Sequence, residues 1–331
     1  MVSCCDIMAV AYGRTSQNGR NKDRLYMRDD SKKTTLMITL VTLVSIGWGI
    51  SFLSLAVLLE AMEPMQVLAT RWGITAVLFL ILIACGKVRI RLRGKSNLLF
   101  LFLTGLFEPC AYSILETYGI KLTSASTSAI FVATVPSMTL ILGILFFKHR
   151  TDLKLTLSLI ITFAGVAIAT IFSPAFSLGG TRVGMVCMML GVIAASMYSL
   201  SSKKASADFD AATVTAVMAI EGAVLFNIIA LAKGYGLETY TIMFTEWRYL
   251  FHMLFLSVFC ALASYVCYNK LLNYVEPALG NNIVSSLSTV IAVIAGILVM
   301  GDLWGWYTIL GMLITLAGVW LASMRMKEDR T

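Results

Sequence analysis

Charge is scarce in this sequence. Only 13% of its 331 residues are Asp, Glu, Lys or Arg, against 58% hydrophobic ones, and the mean hydropathy is +0.84. A water-soluble globule must cover itself largely with polar side chains, so that class is excluded. Histidine is scarcer still, with His149 and His252 the two in the chain. A membrane-embedded enzyme, such as a lipid-modifying transferase or an intramembrane protease, needs His, Asp or a nucleophilic Ser gathered at one site. These two histidines fall on opposite sides of the membrane in the topology below, which speaks against an enzyme. No Gly-x-x-x-x-Gly-Lys-Ser/Thr loop occurs, which excludes nucleotide-driven work of that type. The seven cysteines show neither metal nor disulfide spacing and read as small buried hydrophobes. No cofactor and no metal is implied.

What the chain has instead is long apolar runs. Ten of them, at residues 35–59, 64–86, 97–116, 123–147, 154–172, 183–202, 211–232, 249–269, 277–300 and 303–324, match the roughly 20 helical residues needed to cross a hydrocarbon core about 30 Å thick. They are unbroken rather than alternating, so they predict helices and not barrel strands, because lipid offers no partners to open backbone groups.

The net charge of +8 is distributed as a topology signal rather than as a nucleic-acid patch. With the N-terminus in the cytoplasm, inside segments carry 21 of the 26 Lys and Arg residues, outside loops carry four, and Arg71 lies within a span. That is the positive-inside bias of a chain with both ends cytoplasmic. Residues 1–33 are polar and read as a disordered cytoplasmic lead, since the apolar patch at Ile7–Tyr12 is too short for a signal-peptide core. Residues 325–331 form a cytoplasmic tail.

The array repeats itself. A gapless offset of 153 residues pairs Tyr112 with Tyr265, Gly143-Ile144-Leu145 with Gly296-Ile297-Leu298, and Ala164-Gly165-Val166 with Ala317-Gly318-Val319. The predicted units are residues 34–172 and 182–324. Five spans per unit force the second copy to enter the membrane upside down, as in many secondary transporters. The fold class expected is therefore an all-α polytopic membrane protein with ten transmembrane helices as two inverted five-helix repeats.

Gly47-Trp48-Gly49 with Phe52, Ala69-Thr70-Arg71-Trp72, and the two Ala-Gly-Val closures resemble the EamA domain of the drug/metabolite transporter superfamily, in two tandem copies over 35–324. The resemblance implies a ten-helix carrier, often a bacterial exporter of amino acids or other metabolites. The chain departs from the pattern after the fourth helix of each copy, where such domains often carry Gly-Glu. It has Lys148-His149 in the first copy and Gly301-Asp302 in the second.

Candidate site residues follow from the cost of burying charge in lipid, about 2.5 to 3.5 kcal/mol at the helix centre even on the mild scale. Glu108 and Glu221 lie near the midplane and are candidates for proton coupling or ion pairing, and Arg71 joins them from the second span. Glu108 is flanked by Gly105 and Pro109, and a proline there removes a helical hydrogen bond, as in the interrupted helices that line transporter cavities. For Glu221 a pairing role with Arg71 or a Ser competes with function. Arg71 also reads as an anchor for Glu60 or Glu63. On the ninth span Asn281, Ser285 and Thr289 recur every four residues, forming a polar face. Trp48, Tyr112 and Tyr265 offer aromatic walls. The substrate-binding set expected is thus Glu108, Tyr112, Trp48, Asn281, Ser285 and Tyr265, in a cavity lined by spans 1, 3, 4, 6, 8 and 9.

The function expected is secondary export of a small metabolite across the bacterial inner membrane. The alternatives are a proton-coupled exporter of lipophilic cations using Glu108 and Glu221, and a nucleotide-sugar or phosphate-ester carrier, for which Arg71 is the one deep basic group. The partners expected are a small-molecule solute and the lipid bilayer, with no nucleic acid, and a homodimer stays open.

Overall fold

The computed structural model describes residues 20–90, 97–147, 153–172, 179–275 and 277–328, so residues 1–19 of the expected lead and residues 329–331 of the tail lie outside the described residues. Every regular element among them is helical. Span 1 is α1 (Arg20–Leu58) and span 2 is α2 (Pro64–Ala84). Span 3 is broken into α3 (Leu98–Gly105), a π-helical segment (Leu106–Ala111) and α4 (Tyr112–Leu122), and span 4 into α5 (Ala125–Val132) and α6 (Val135–Phe147). Then come α7 (Leu153–Ile171), α8 (Gly179–Ala205), α9 (Ala211–Ala232) and the short α10 (Glu238–Thr241). Span 8 joins α11 (Trp247–Leu254) and α12 (Tyr265–Leu271) through a π segment (Phe255–Ser264), α13 (Pro277–Ala295) ends in another (Gly296–Met300), and α14 (Trp306–Glu328) closes the chain.

Eight of these spans are long and apolar enough to cross a bilayer, and two shorter apolar helices, within α7 and α14, stand where the fifth and tenth spans were expected. Local sequence sets the ends. Pro64 opens α2 behind Glu63, whose backbone N–H donates to the Gln66 side chain (2.9 Å) in a capping box. Asp210 caps α9 by accepting from the Thr213 N–H at 2.7 Å. Gly86 follows α2 at φ +70°, a left-handed stop that a side chain would oppose.

The helices bury two apolar clusters, one around Trp72, Phe79 and Tyr268, the other around Phe52, Leu58 and Met188. Large apolar side chains such as Val77, Leu80, Ile160 and Leu313 are exposed on the outside. Lipid is the solvent that accepts such a surface.

The relation of the two halves is written in the packing of α7 against α14. Gly165 lies against the Gly311 carbonyl, where a Cβ would come within 2.6 Å, and Gly318 lies against the Ser158 carbonyl, where a Cβ would come within 2.8 Å. Gly311 also faces Ala169, and Gly318 faces Thr162. The 153-residue offset turns Ser158 into Gly311 and Gly165 into Gly318, so each helix presents the same patch to its equivalent. Contacts that run from 169 down to 158 on α7 run from 311 up to 318 on α14. The equivalent helices are therefore antiparallel about a twofold axis, which is the inverted repeat.

Candidate functional site

Span 3 supplies the acids. Pro109 lacks the N–H that a continuous helix needs at that point, and the chain answers with the π segment, inside which Glu108 takes an extended conformation (φ −140°, ψ 114°). The expected break is present, in this form. On span 4 the break falls at Ala133 and Thr134, just before Pro136. Tyr112 and Glu116 lie one turn apart on α4 and so face the same side, and Glu108 is turned to that side by its break in the helix.

They face a cavity of about 60 Å3 at the centre of the bundle, room for a few waters in this conformation. Spans 1 and 2 contribute Trp48, Ser51, Phe52 and Arg71 to its wall; spans 3 and 4 contribute Glu108, Tyr112, Glu116, Val132 and Val135. Span 6 adds Ala195, Tyr198 and Ser199, span 8 adds Tyr265, and span 9 adds Asn281, Val284, Ser285 and Ser288. Seven of the eight sequence-predicted site residues thus meet in one place. The eighth, Glu221, does not. It sits on α9 behind span 3, where its carboxylate fills the space left by the missing side chain of Gly105.

Within the cavity Glu108 Oε1 accepts hydrogen bonds from the Tyr265 hydroxyl (2.5 Å) and Ser113 Oγ (3.2 Å), so both halves of the molecule hold the same carboxylate oxygen. Tyr112 donates to Glu116 Oε1 at 2.8 Å. Arg71 is 3% exposed, with its guanidinium carbon 5.3 Å from the ring centroid of Trp72. It does not anchor the loop acids: Glu60 accepts from Arg248 and Glu63 from Lys121, both at 2.5 Å. Those cations lie at the loop's own level, whereas Arg71 points inward. Trp48 packs at 5.2 Å from Tyr265 and 4.9 Å from Tyr268, and Tyr198 lies 5.9 Å from both, giving an aromatic wall.

Four buried polar atoms on this surface lack a hydrogen-bond partner: Glu108 Oε2, Arg71 Nε, Trp48 Nε1 and Ser285 Oγ. A buried polar atom without a partner costs about 1–3 kcal/mol, and four of them around one void are the mark of a site that a polar guest would satisfy. Among the described residues no cluster of metal-ligating side chains exists.

The lining is itself repeated. At the 153-residue offset Tyr112 matches Tyr265, Val132 matches Ser285, and Val135 matches Ser288, and all six line the cavity. At an offset of 147, Trp48, Ser51 and Phe52 match Ala195, Tyr198 and Ser199, which line it too. Sequence reading missed Glu116, Ser51, Tyr198, Ser199 and Ser288. Glu116 was legible as the helical neighbour of Tyr112, but it ends the apolar run and resembles an interfacial acid. Ser51 and Tyr198 needed the second offset, which a gapless comparison does not show. Not all of the polar face of span 9 points inward: Thr289 donates to the Ala129 carbonyl (3.2 Å) on α5.

The sequence profile described as the EamA-like transporter family matches residues 35–171 and again 182–324. Among curated proteins, the uncharacterized transporter YcxC of Bacillus subtilis is 25% identical over 82% of this chain and 87% of its own length. The uncharacterized transporter YrdR of the same organism is 26% identical over 90% of this chain and 95% of its own length. Protein PagO of Salmonella typhimurium is 24% identical over 72% of this chain and 76% of its own length. A protein crystal structure superposes with a TM-score of 0.60 at 15% identity, covering 89% of this chain and 99% of that one, a likeness of fold.

Proposed function

This chain belongs to the EamA-like transporter family, and from that premise we propose that it is a secondary exporter of a small zwitterionic metabolite, an amino acid or a related solute, across the bacterial inner membrane. The two inverted halves would expose the central cavity to each side in turn, with both termini in the cytoplasm, a placement that the distribution of basic residues supports. The observation that carries the substrate class is the cavity's charge pattern. One arginine, Arg71, and two carboxylates, Glu108 and Glu116, share a single void, and both Arg71 Nε and Glu108 Oε2 are unpartnered. A carboxylate guest answers the guanidinium and an ammonium answers Glu108. The remainder of such a guest would lie against Trp48 and Tyr265.

A second reading is favoured by the same count, since two acids against one base also suit a lipophilic cation. Flux in liposomes separates them. Purified protein is screened over amino acids, nucleosides and lipophilic cations, with and without a pH gradient. The proposal expects saturable movement of a zwitterion. Movement of cations alone would replace it with the second reading.

A further inference from the structure

The two ends of the cavity are closed by different means. Towards the face at which α8 and α12 end, five helices meet in a buried hydrogen-bonded network around two asparagines. Asn269 of α12 accepts from the Tyr198 hydroxyl (2.8 Å) and Ser202 Oγ (2.7 Å) and donates to Thr215 Oγ1 (2.9 Å). Asn281 of α13 donates to Thr139 Oγ1 (2.9 Å) and Ser199 Oγ (3.0 Å) and accepts from the Tyr268 hydroxyl. Lys203, next in sequence to Ser202, donates to the carbonyls of Leu272 (2.5 Å) and Val275 (3.2 Å) in the connection between α12 and α13. Both amide protons of Asn281 are used, so its place in the cavity wall is that of a floor rather than of a free ligand.

The equivalent positions at the other end carry different chemistry. Ser199, Ser202 and Thr215 are matched there by Phe52, Leu55 and Leu68, and Tyr268 and Asn281 by Leu115 and Ser128. Asn269 is matched by Glu116. That end is held by packing and by separate pairwise contacts, such as Ser54 with His252 (3.0 Å), Thr123 with Ser128 (3.1 Å) and Lys121 with Glu63, while the asparagine end is held by a connected polar network spanning five helices. Such a network must break several bonds together to open.

We propose that Asn269 and Asn281 are gating residues of the transport cycle: their network holds the cavity shut on the face where α8 and α12 end, and its rupture is the step that opens that face. The inference rests on the transporter reading above, but its test needs no substrate. A single cysteine is placed at Ser288, in the cavity wall, in a chain otherwise free of cysteine, and labelled by a membrane-impermeant maleimide in right-side-out and inside-out vesicles. Thr215→Val with Ser202→Ala removes two of the three hydroxyl partners of Asn269 at nearly constant volume. The expected result is labelling about tenfold faster from the asparagine face, and slower from the other, because the population shifts to the state open on that side. Thr215→Val alone is the milder variant should the double change prevent folding. Unchanged labelling from both faces, in a variant as monodisperse and as heat-stable as its parent, overturns the gate and leaves a packing role. Predicted labelling in a chain that moves no solute would instead count against the transporter reading.

Discussion

At the scale of single residues, one carboxylate is shared between the two halves. Glu108 is held through Oε1 by groups from both halves, while Oε2 is left for a guest. Glu108→Gln keeps an oxygen for Tyr265 and Ser113 to donate to, but removes the charge. A hydrogen bond to a charged group is worth about 1.5–3 kcal/mol, so the half-saturation concentration for a zwitterion should rise roughly 10- to 100-fold, with the protein's melting temperature little changed. Initial-rate flux in proteoliposomes measures this. Arg71→Lys should fail almost as badly, since an ammonium cannot offer the planar two-pronged donor that a carboxylate guest meets in a guanidinium. Glu108, Arg71, Trp48 and the two tyrosines were legible in the sequence because intramembrane charge is expensive and aromatic repeats are visible. Glu221 satisfied the same cost argument yet lies outside the cavity. Depth in the membrane is readable from residue count, whereas the side of the helix that meets the cavity depends on neighbours that the sequence does not order.

At the scale of elements, breaks and seams carry the information. Pro109 announced the interruption of span 3 but not its π form, and the comparable segment at Phe255–Ser264 in span 8 had no proline to announce it. Glycines told more than their number suggested. The seam of α7 and α14 works because Gly165, Gly311 and Gly318 let two backbones touch, the small-residue packing that replaces hydrophobic drive inside lipid. A Cβ at Gly311 would come within 2.6 Å of both the Gly165 carbonyl and the Ala169 methyl, and neither can retreat without moving a helix. Gly311→Ala should therefore cost about 1–3 kcal/mol, the usual scale of overpacking, measured as a lowered melting temperature in detergent. Gly143→Ala is the matched control, because nothing lies within 4 Å of the added carbon. It should leave stability unchanged or slightly raised.

At the scale of the whole molecule, the 153-residue offset was enough to read duplication and, with five spans per copy, inversion. It could not show that the offset shortens to 147 across spans 1 and 6, which is where Ser51 and Tyr198 become partners in one wall. The count of crossing helices is where sequence and structure agree least simply, with eight spans of full length and two shorter helices joined in the antiparallel seam. The seam ties the copies together, and the cavity lies where their equivalent faces meet. Surface labelling of equivalent loops tests the inversion. Glu60 and Ala207 are equivalent under the 147-residue offset, each in the connection that precedes the second helix of its copy. Single cysteines there, in a chain otherwise free of cysteine, are labelled in intact cells with an impermeant maleimide. Inverted copies place the two on opposite faces, and with the basic residues inside it is Glu60 that should react and Ala207 that should not until the membrane is opened. Equal labelling of both from the same side would mean that the copies run the same way, and the shared cavity of inverted halves would fall with them.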